Sequence, residues 1–461
     1  MPPKKVAAVV TEYRRWSHAD VILRNLLGGY PDGTRPDLQL VSLVTDQVPK
    51  TDMSRDLAKR HGFRICATVN EALTLGTDTL AVDAVLSIGE HGQYPTNDRG
   101  QLLYPRRRFF ADIAAVFERT KRSVPVFNDK HLAATWDDAK WMYDTARRLM
   151  VPFLAGSSIP VTWRKPDVEL PRGCDLVGAV QLGYGPFEGY GFHALEGLQC
   201  MVERRAIATP PPAPPPRGEG CSHRETSCDN APAERVPGQS VGTSPPFPLR
   251  EGGPGGLGGS GLRAAIQPQP APQGGGGLPQ QGVAAVTCHS GPAMWAALDR
   301  HAWTKPVLEA GLRLIPAHAN GDVRELSAKA RDAGTFEVEY RDGFRAFVVM
   351  PNGWVHEGDG GAFVFAGQVR GRPPVACQYY LQQPDPFAHF AELTKAIDSL
   401  VRTGHAPYPV ERTLLTTGVL DAVMTSKHRG GARVETPHLD VRYRPTDWGA
   451  AKGAIPPAQK G

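Results

Sequence analysis

The chain is predicted to be an α/β protein in two parts: an N-terminal doubly wound parallel sheet and a C-terminal α+β domain on a mostly antiparallel sheet. Three observations predict it. Over residues 1–156, short continuous apolar runs alternate with amphipathic stretches, as strands covered on both faces require. Beyond about residue 330, strand-like runs follow one another directly, and RDGF at 341–344 separates two of them as in a hairpin. Between the two patterns, residues 208–281 hold more than a third of the 43 prolines and almost no periodic apolar positions. Such a composition cannot bury enough surface to offset chain entropy, so this segment reads as a disordered Pro/Gly-rich insertion in a surface loop.

In the first part, strands are expected at 5–11 (KVAAVVT), 38–46 (LQLVSLVTD), 63–69 (FRICATV), 83–88 (DAVLSI), 124–129 (VPVFND) and 151–156 (VPFLAG). Helices are expected between them at 17–27, 53–61, 70–76, 107–121 and 136–149. Apolar strands joined by amphipathic helices build a Rossmann-like domain over residues 1–156. The second part, 157–207 and 282–445, begins with a strand in GCDLVGAVQLGYG (173–185) and a helix at 190–205, where Phe192, Leu195, Leu198 and Val202 have core spacing. VAAVTCHS (283–290) is a further strand, and helical pieces surround Trp295 and Trp303. Strands in TFEVEYRDGFRAFVVM, GAFVFAGQVRG and PVACQYYLQ follow, then helices at 386–402 and 409–427. Residues 446–461 read as a flexible tail.

Composition narrows the function classes. With 461 residues, 41% of them hydrophobic, the chain can build two real cores. A net charge of +5 without a long basic run gives no support to a nucleic-acid partner, and the densest basic patch, YPRRRFF (104–110), reads as a solvated helix start. The 7 cysteines are scattered and form no CxxC pair, which argues against a disulfide framework or zinc ribbon and suits a reducing cytoplasm. Cys221, His223 and Cys228 lack a suitably spaced fourth ligand for a metal knuckle. The N-terminal apolar run is too short for a signal peptide, and no run is long enough to cross a bilayer. A cytoplasmic protein without a membrane partner is expected.

In a doubly wound sheet, ligands bind beyond the carboxyl ends of the strands. The first strand delivers TEYRRWSH (11–18), with Glu12, Tyr13, Arg14 and His18 and no glycine. The fourth delivers GEHGQYP (89–95), whose glycines allow a tight loop displaying Glu90 and His91, with Tyr94 beyond. The fifth delivers Asn128, Asp129, Lys130 and His131. After the sixth come Ser157, Ser158, Trp163 and Arg164, and the second part adds Tyr184, Glu188 and His193. So many ionisable groups at one edge are costly unless paired or bound to a ligand, which marks a functional cleft. Arg14 and Arg15 could bind an anion directly.

VPVFNDKHLAATWDDAKWMYDTARRLMVPFLAGSS (124–158), DLAKRHGFRICATVNEAL (56–73), YGFHALEGL (190–198) and the helical stretch from Leu393 to Pro437 resemble, in layout, the glucose–fructose oxidoreductase / inositol dehydrogenase (Gfo/Idh/MocA) family. The resemblance implies an NAD-dependent dehydrogenase of a sugar, inositol or related polyol. It places Lys130 where the family has its catalytic lysine and His193 where it has its catalytic histidine. Glu188 stands beside Gly189, which occupies the place of the family's acid, and His91 joins the catalytic set. Asp46 takes the place of the acid that binds the adenine ribose. Thr11, Glu12, Arg14, Ile88, Glu90 and Asp129 complete the implied cofactor site. Tyr94, His131, Trp163, Arg164 and Tyr184 form the implied substrate site. The family's broad sheet implies a homo-oligomer.

The chain departs from the family at the first turn, which lacks the GxGxxG loop, and at 129–131, where Asp-Lys-His replaces Glu-Lys-Pro. Two readings follow. In the first, Lys130 and His193 handle the hydroxyl proton while NAD takes hydride. In the alternative, the dinucleotide is lost. The cleft then does acid/base or divalent-metal-assisted lyase, isomerase or hydrolase chemistry on a carbohydrate-like ligand, with Glu90, His91, Asp129, His131 and His193 as metal ligands or bases, or binds without turnover. Family membership gives the redox reading a slight lead.

Overall fold

Val6–Val10 are wholly buried, so the first strand must be covered on both faces, and the structure shows how. The computed structural model describes residues 2–207, 278–356, 358 and 360–458. Residues 208–277, with Cys221, His223 and Cys228, lie outside the described residues. The first part contains β1 (Lys4–Val10), α1 (His18–Gly28), β2 (Leu38–Thr45), α2 (Ser54–His61), β3 (Arg64–Ile65) and α3 (Val69–Thr74). It continues with β4 (Ala84–Ile88), α4 (Arg106–Thr120), β5 (Val126–Asp129), α5 (Trp136–Arg148) and β6 (Phe153–Gly156). All six strands are parallel, in the order β3-β2-β1-β4-β5-β6. The strand order reverses between β1 and β4, and a crevice at that switch point is where such a sheet binds ligands. The expected strand at 63–69 shrinks to two residues because Thr68 caps α3, its side chain accepting from the Glu71 amide.

The second part contains β7 (Arg164–Lys165), β8 (Leu176–Leu182), α6 (Gly189–Val202), β9 (Val283–Ser290), α7 (Ala293–Asp299) and α8 (Thr304–Leu312). Then come α9 (Val323–Lys329), β10 (Gly334–Tyr340), β11 (Arg345–Met350), β12 (Gly360–Val369) and β13 (Val375–Leu381). The chain closes with α10 (Ala388–Thr403), α11 (Val410–His428) and β14 (Val434–Glu435). The eight strands run β14-β9-β10-β11-β8-β12-β13-β7, antiparallel except for the β11–β8 pair. The RDGF turn joins β10 to β11 as expected, with Gly343 at φ +85°.

Three boundaries are corrected. Helix α10 belongs to the first core: Leu393, Ala396, Ile397 and Leu400 pack with the apolar residues of β1, α1 and β2, and Asn25 of α1 donates to Thr394 Oγ1 at 3.2 Å. The expected insertion ends earlier than 281, because Gln281 is fully buried, accepts from Arg205 Nη1 at 3.2 Å and donates to the Glu203 carbonyl at 3.1 Å. The expected flexible tail is tied down: Ala451 N–H donates to the Val161 carbonyl at 2.9 Å, and Gln382 donates to the Pro456 carbonyl. Its backbone groups find partners on the fold, so it is part of it.

Helices cover both faces of the second sheet. Along β8, Gly183 faces Ala194 of α6, whereas Gly178 lies under Trp303, just before α8, and Leu182 meets Gly311 of α8. The chain's own α8 covers one face of the sheet at β8 and β12, where Gly311 meets Leu182 and Ala366. A Cβ at Gly178 would sit 2.5 Å from the Trp303 ring. Gly178→Ala is expected to destabilise the chain by about 1–3 kcal/mol through overpacking, read by urea denaturation. Among the described residues, no helix is long and apolar enough to cross a membrane.

Candidate active site

The carboxyl ends of β1, β4 and β5, with α6, bring the expected groups together. Among the described residues, three of the seven non-glycine residues with positive φ lie in these loops: Trp16 at +64°, His91 at +70° and Lys130 at +60°. Side chains held in this conformation are strained, and such strain concentrates at functional sites. Gly89 is required in the β4 loop because a Cβ there would meet Arg106 Cγ at 2.7 Å. Gly92, at φ +96°, lets the loop turn back toward Gln47.

At the centre, Glu90 is paired with two cations. Lys130 Nζ lies 2.8 Å from Glu90 Oε1, and Arg106 Nη2 lies 2.5 Å from Glu90 Oε2. Lys130 and Arg106 are only 4% and 1% exposed. Arg106 also places Nη1 2.9 Å from His131 Nε2, while Glu188 Oε1 lies 3.2 Å from the same nitrogen. His18 Nδ1 is 2.7 Å from Asp129 Oδ2, and the His18 and His91 rings meet edge-on, with centroids 5.3 Å apart. His193 packs against Tyr190 and Phe363, and Tyr184 stands behind those two rings.

Burial would raise the Glu90 carboxyl, but Lys130 and Arg106 overcome it and hold the group well below the ordinary carboxylate range. Burial would lower Lys130, but Glu90 raises it, so the amine is charged. Burial, with His18 beside it, pushes His91 down to about 3. Burial and then Lys130 hold His193 well below the usual histidine value, and burial and then Arg106 lower His131. Burial would raise Glu188, but His131, 3.2 Å away, lowers it. At neutral pH the cleft therefore combines fixed ion pairs with the neutral imidazoles of His91, His131 and His193.

Seven buried polar atoms here have no hydrogen-bond partner among the described residues: His91 Nε2, Arg106 Nε, Asn128 Oδ1, Asp129 Oδ1, His131 Nδ1, Glu188 Oε1 and His193 Nδ1. Buried polar groups are almost always satisfied, so this concentration calls for a polar ligand.

The structure also separates residues that the sequence grouped. Arg164 lies on the edge strand β7, where it pairs with Glu169 and faces the Tyr379 ring. Next to it, the Trp163 carbonyl accepts from Tyr380 N–H at 2.9 Å. Among the described residues no group of three or more His, Cys, Asp or Glu side chains could hold a metal ion. The five-residue metal set is not assembled, because Glu90 is occupied by Lys130 and Arg106, and Asp129 by His18. The YPRRRFF patch is not simply a solvated helix start either. Arg107 pairs with Asp138 and Arg108 with Asp46, but Arg106 is buried under the cluster with its guanidinium over the Tyr104 ring. Arg106 was missed, although its helical spacing to Phe109, Phe110 and Ile113 puts it on the apolar stripe.

The cofactor residues implied by the resemblance were tested against this geometry. Thr11 Oγ1 donates to the Glu90 carbonyl, which joins the first turn to the β4 loop across the switch point. Arg14 is paired with Glu12 at 2.5 Å and reaches to 3.5 Å of His91 Nδ1. Gln47 is bound twice by Gln93, donating to its carbonyl at 2.8 Å and accepting from its amide at 2.9 Å. Asp46 accepts from Tyr94 Oη at 2.7 Å and from Arg108 at 2.6 Å. Ile88 is fully buried, and its carbonyl accepts from Thr11 N–H. The β4 loop thus lies on the ends of β1 and β2, along the path a diphosphate would take, and the residues present do not fit that group. Next to Asp46 an open groove of about 620 Å³ remains, lined among others by Thr68, Asn70, Arg108 and Arg119.

Comparison with solved structures bears out the fold. The chain is similar to GenD2 from gentamicin A biosynthesis, solved in complex with NAD, at 12% identity and a TM-score of 0.50, covering 94% of this chain and 97% of that one. It is also similar to a probable dehydrogenase from Thermotoga maritima, at 10% identity and a TM-score of 0.51, covering 94% and 99%. The resemblance to the Gfo/Idh/MocA family therefore holds at the level of fold. No family model and no curated protein matches the sequence.

Proposed function

We propose that the chain is an enzyme acting on a hydroxyl-bearing, carbohydrate-like small molecule held at the carboxyl edge of the parallel sheet, with proton transfer as its chemistry. The observation that carries this reading is the group of seven unpartnered polar atoms around a charged, buried lysine. Substrate hydroxyls would satisfy these atoms. The Lys130 ammonium, fixed by Glu90, stabilises negative charge developing on a substrate oxygen. His193, neutral and unpartnered at Nδ1, exchanges the proton. Glu188 and Arg106 orient the His131 ring from its Nε2 side, which leaves Nδ1 for the ligand.

A second reading has the same hydroxyl oxidised by a nicotinamide dinucleotide. The open groove beside Asp46 and the likeness in fold to NAD-bound GenD2 favour it.

The test is calorimetric and NMR titration of the full chain with myo-inositol, glucose and gluconate. At least one is expected to bind, and Lys130→Met and His193→Asn are each expected to weaken it about 10- to 100-fold, the cost of losing a hydrogen bond to or from a charged or buried partner. Binding by none of the three, or unchanged binding in both variants, would overturn the proposal.

A further inference from the structure

We infer that the loop at residues 89–94 is a built-in occupant of the dinucleotide path, so that the chain binds neither NAD(H) nor NADP(H). The inference takes the location of the site from the proposed function but stands on different contacts. Four bonds fasten the loop to the ends of β1 and β2: Glu90 to Thr11, both Gln93 backbone groups to Gln47, and Tyr94 to Asp46. A diphosphate crossing the switch point would have to break them.

Charge leads to the same conclusion. Each cation along the path already has a carboxylate of the chain as partner: Arg14 has Glu12, Lys130 and Arg106 have Glu90, and Arg108 has Asp46. An incoming diphosphate would displace these carboxylates, one of them, Glu90, from two buried pairs, and leave their charge beside its own. The N-terminus of α1, the usual anion site, is also taken. Ser17 accepts from the Asp20 amide, and the Asp20 carboxylate accepts from Trp16 N–H at 2.8 Å, which puts negative charge where phosphate would bind. The missing glycines of the first turn and the long β4 loop are thus one feature: the turn gained side chains where the loop came to rest. The dinucleotide form of the proposed reaction is set aside, and the proton-transfer form remains.

The experiment titrates the full chain with NADH and NADPH into the millimolar range by nicotinamide fluorescence, and follows hydrogen exchange at the Gln93 amide with and without NADH. No saturable binding and unchanged exchange are expected. Gln47→Ala, which removes the acceptor of that amide, is expected to speed its exchange about fivefold, the loss of one ordinary hydrogen bond. Saturable binding of either dinucleotide, or unchanged Gln93 exchange in Gln47→Ala, overturns the inference. The polyol titrations run in parallel separate the two proposals. Failure to bind both dinucleotide and polyol upholds this inference and sinks the proposed function, whereas binding of both does the reverse.

Discussion

Replacing Glu90 with alanine is expected to destabilise the chain by about 3–5 kcal/mol, the cost of removing one member of a buried ion pair. Two cations depend on it: Lys130 Nζ at 2.8 Å and Arg106 Nη2 at 2.5 Å, both almost inaccessible to water. Alanine leaves two buried positive charges facing one another across a cavity. Urea denaturation of wild type and variant measures the effect. The double variant Glu90→Ala, Lys130→Met is expected to cost less than the sum of its single changes, because it removes one of the stranded charges. Glu12→Ala is the control. Its partner Arg14 is 38% exposed, so the change is expected to cost less than about 1 kcal/mol. Equal losses in Glu90→Ala and Glu12→Ala would show that burial of the central pair does not set its energy.

Acid is expected to weaken the fold well before carboxylates protonate. Burial pushes His91 and His389 down to about 3, against about 6.5 in an unfolded chain. Between those values the unfolded chain holds protons that the folded one does not. Each histidine's stabilising contribution is therefore complete above about pH 6.5 and is lost at about 1.4 kcal/mol per pH unit as the pH falls toward 3. Glu196 works in the opposite sense. Burial raises it to about 7, so between about pH 4.5 and 7 its contribution grows as pH falls and cancels that of one histidine. Two histidines less one carboxyl leave a net loss of about 1.4 kcal/mol per pH unit from pH 6.5 to 5, and the lowered His131 and His193 add to it. Glu90 and Glu188, both lowered, keep their full stabilising contribution above the ordinary carboxylate range and lose it only below. Thermal melts at pH 7.5, 6.5, 5.5 and 5 should show this slope. A flat profile would mean that these imidazoles take up protons in the folded state.

The parallel sheet was legible because strands buried on both faces appear as unbroken apolar runs, as in VAAVV and AVLSI, and the structure begins and ends them within a residue or two. Much of the site was legible for the opposite reason: ionisable residues placed directly after such runs, as in GEHG and NDKH, have no structural use there unless they pair or bind. What stayed hidden depends on contacts between distant segments. Docking of α10 on α1 joins residues 369 apart, and nothing in either helix names its partner. Arg106 was read by its charge rather than by its helical phase. Trp163 and Arg164 follow a strand that ends at the site, but the chain turns away there to reach the far edge of the second sheet.

The clasp between Arg205 and Gln281 has a consequence of its own. Glu203 and Arg205, before residues 208–277 in sequence, and Gln281, after them, hold one another by hydrogen bonds. Chain added or removed between these two ends is expected to leave the register of the strands unchanged, and the closure entropy it adds grows only with the logarithm of its length. The fold is therefore expected to accept drift, expansion or exchange of sequence between these two ends.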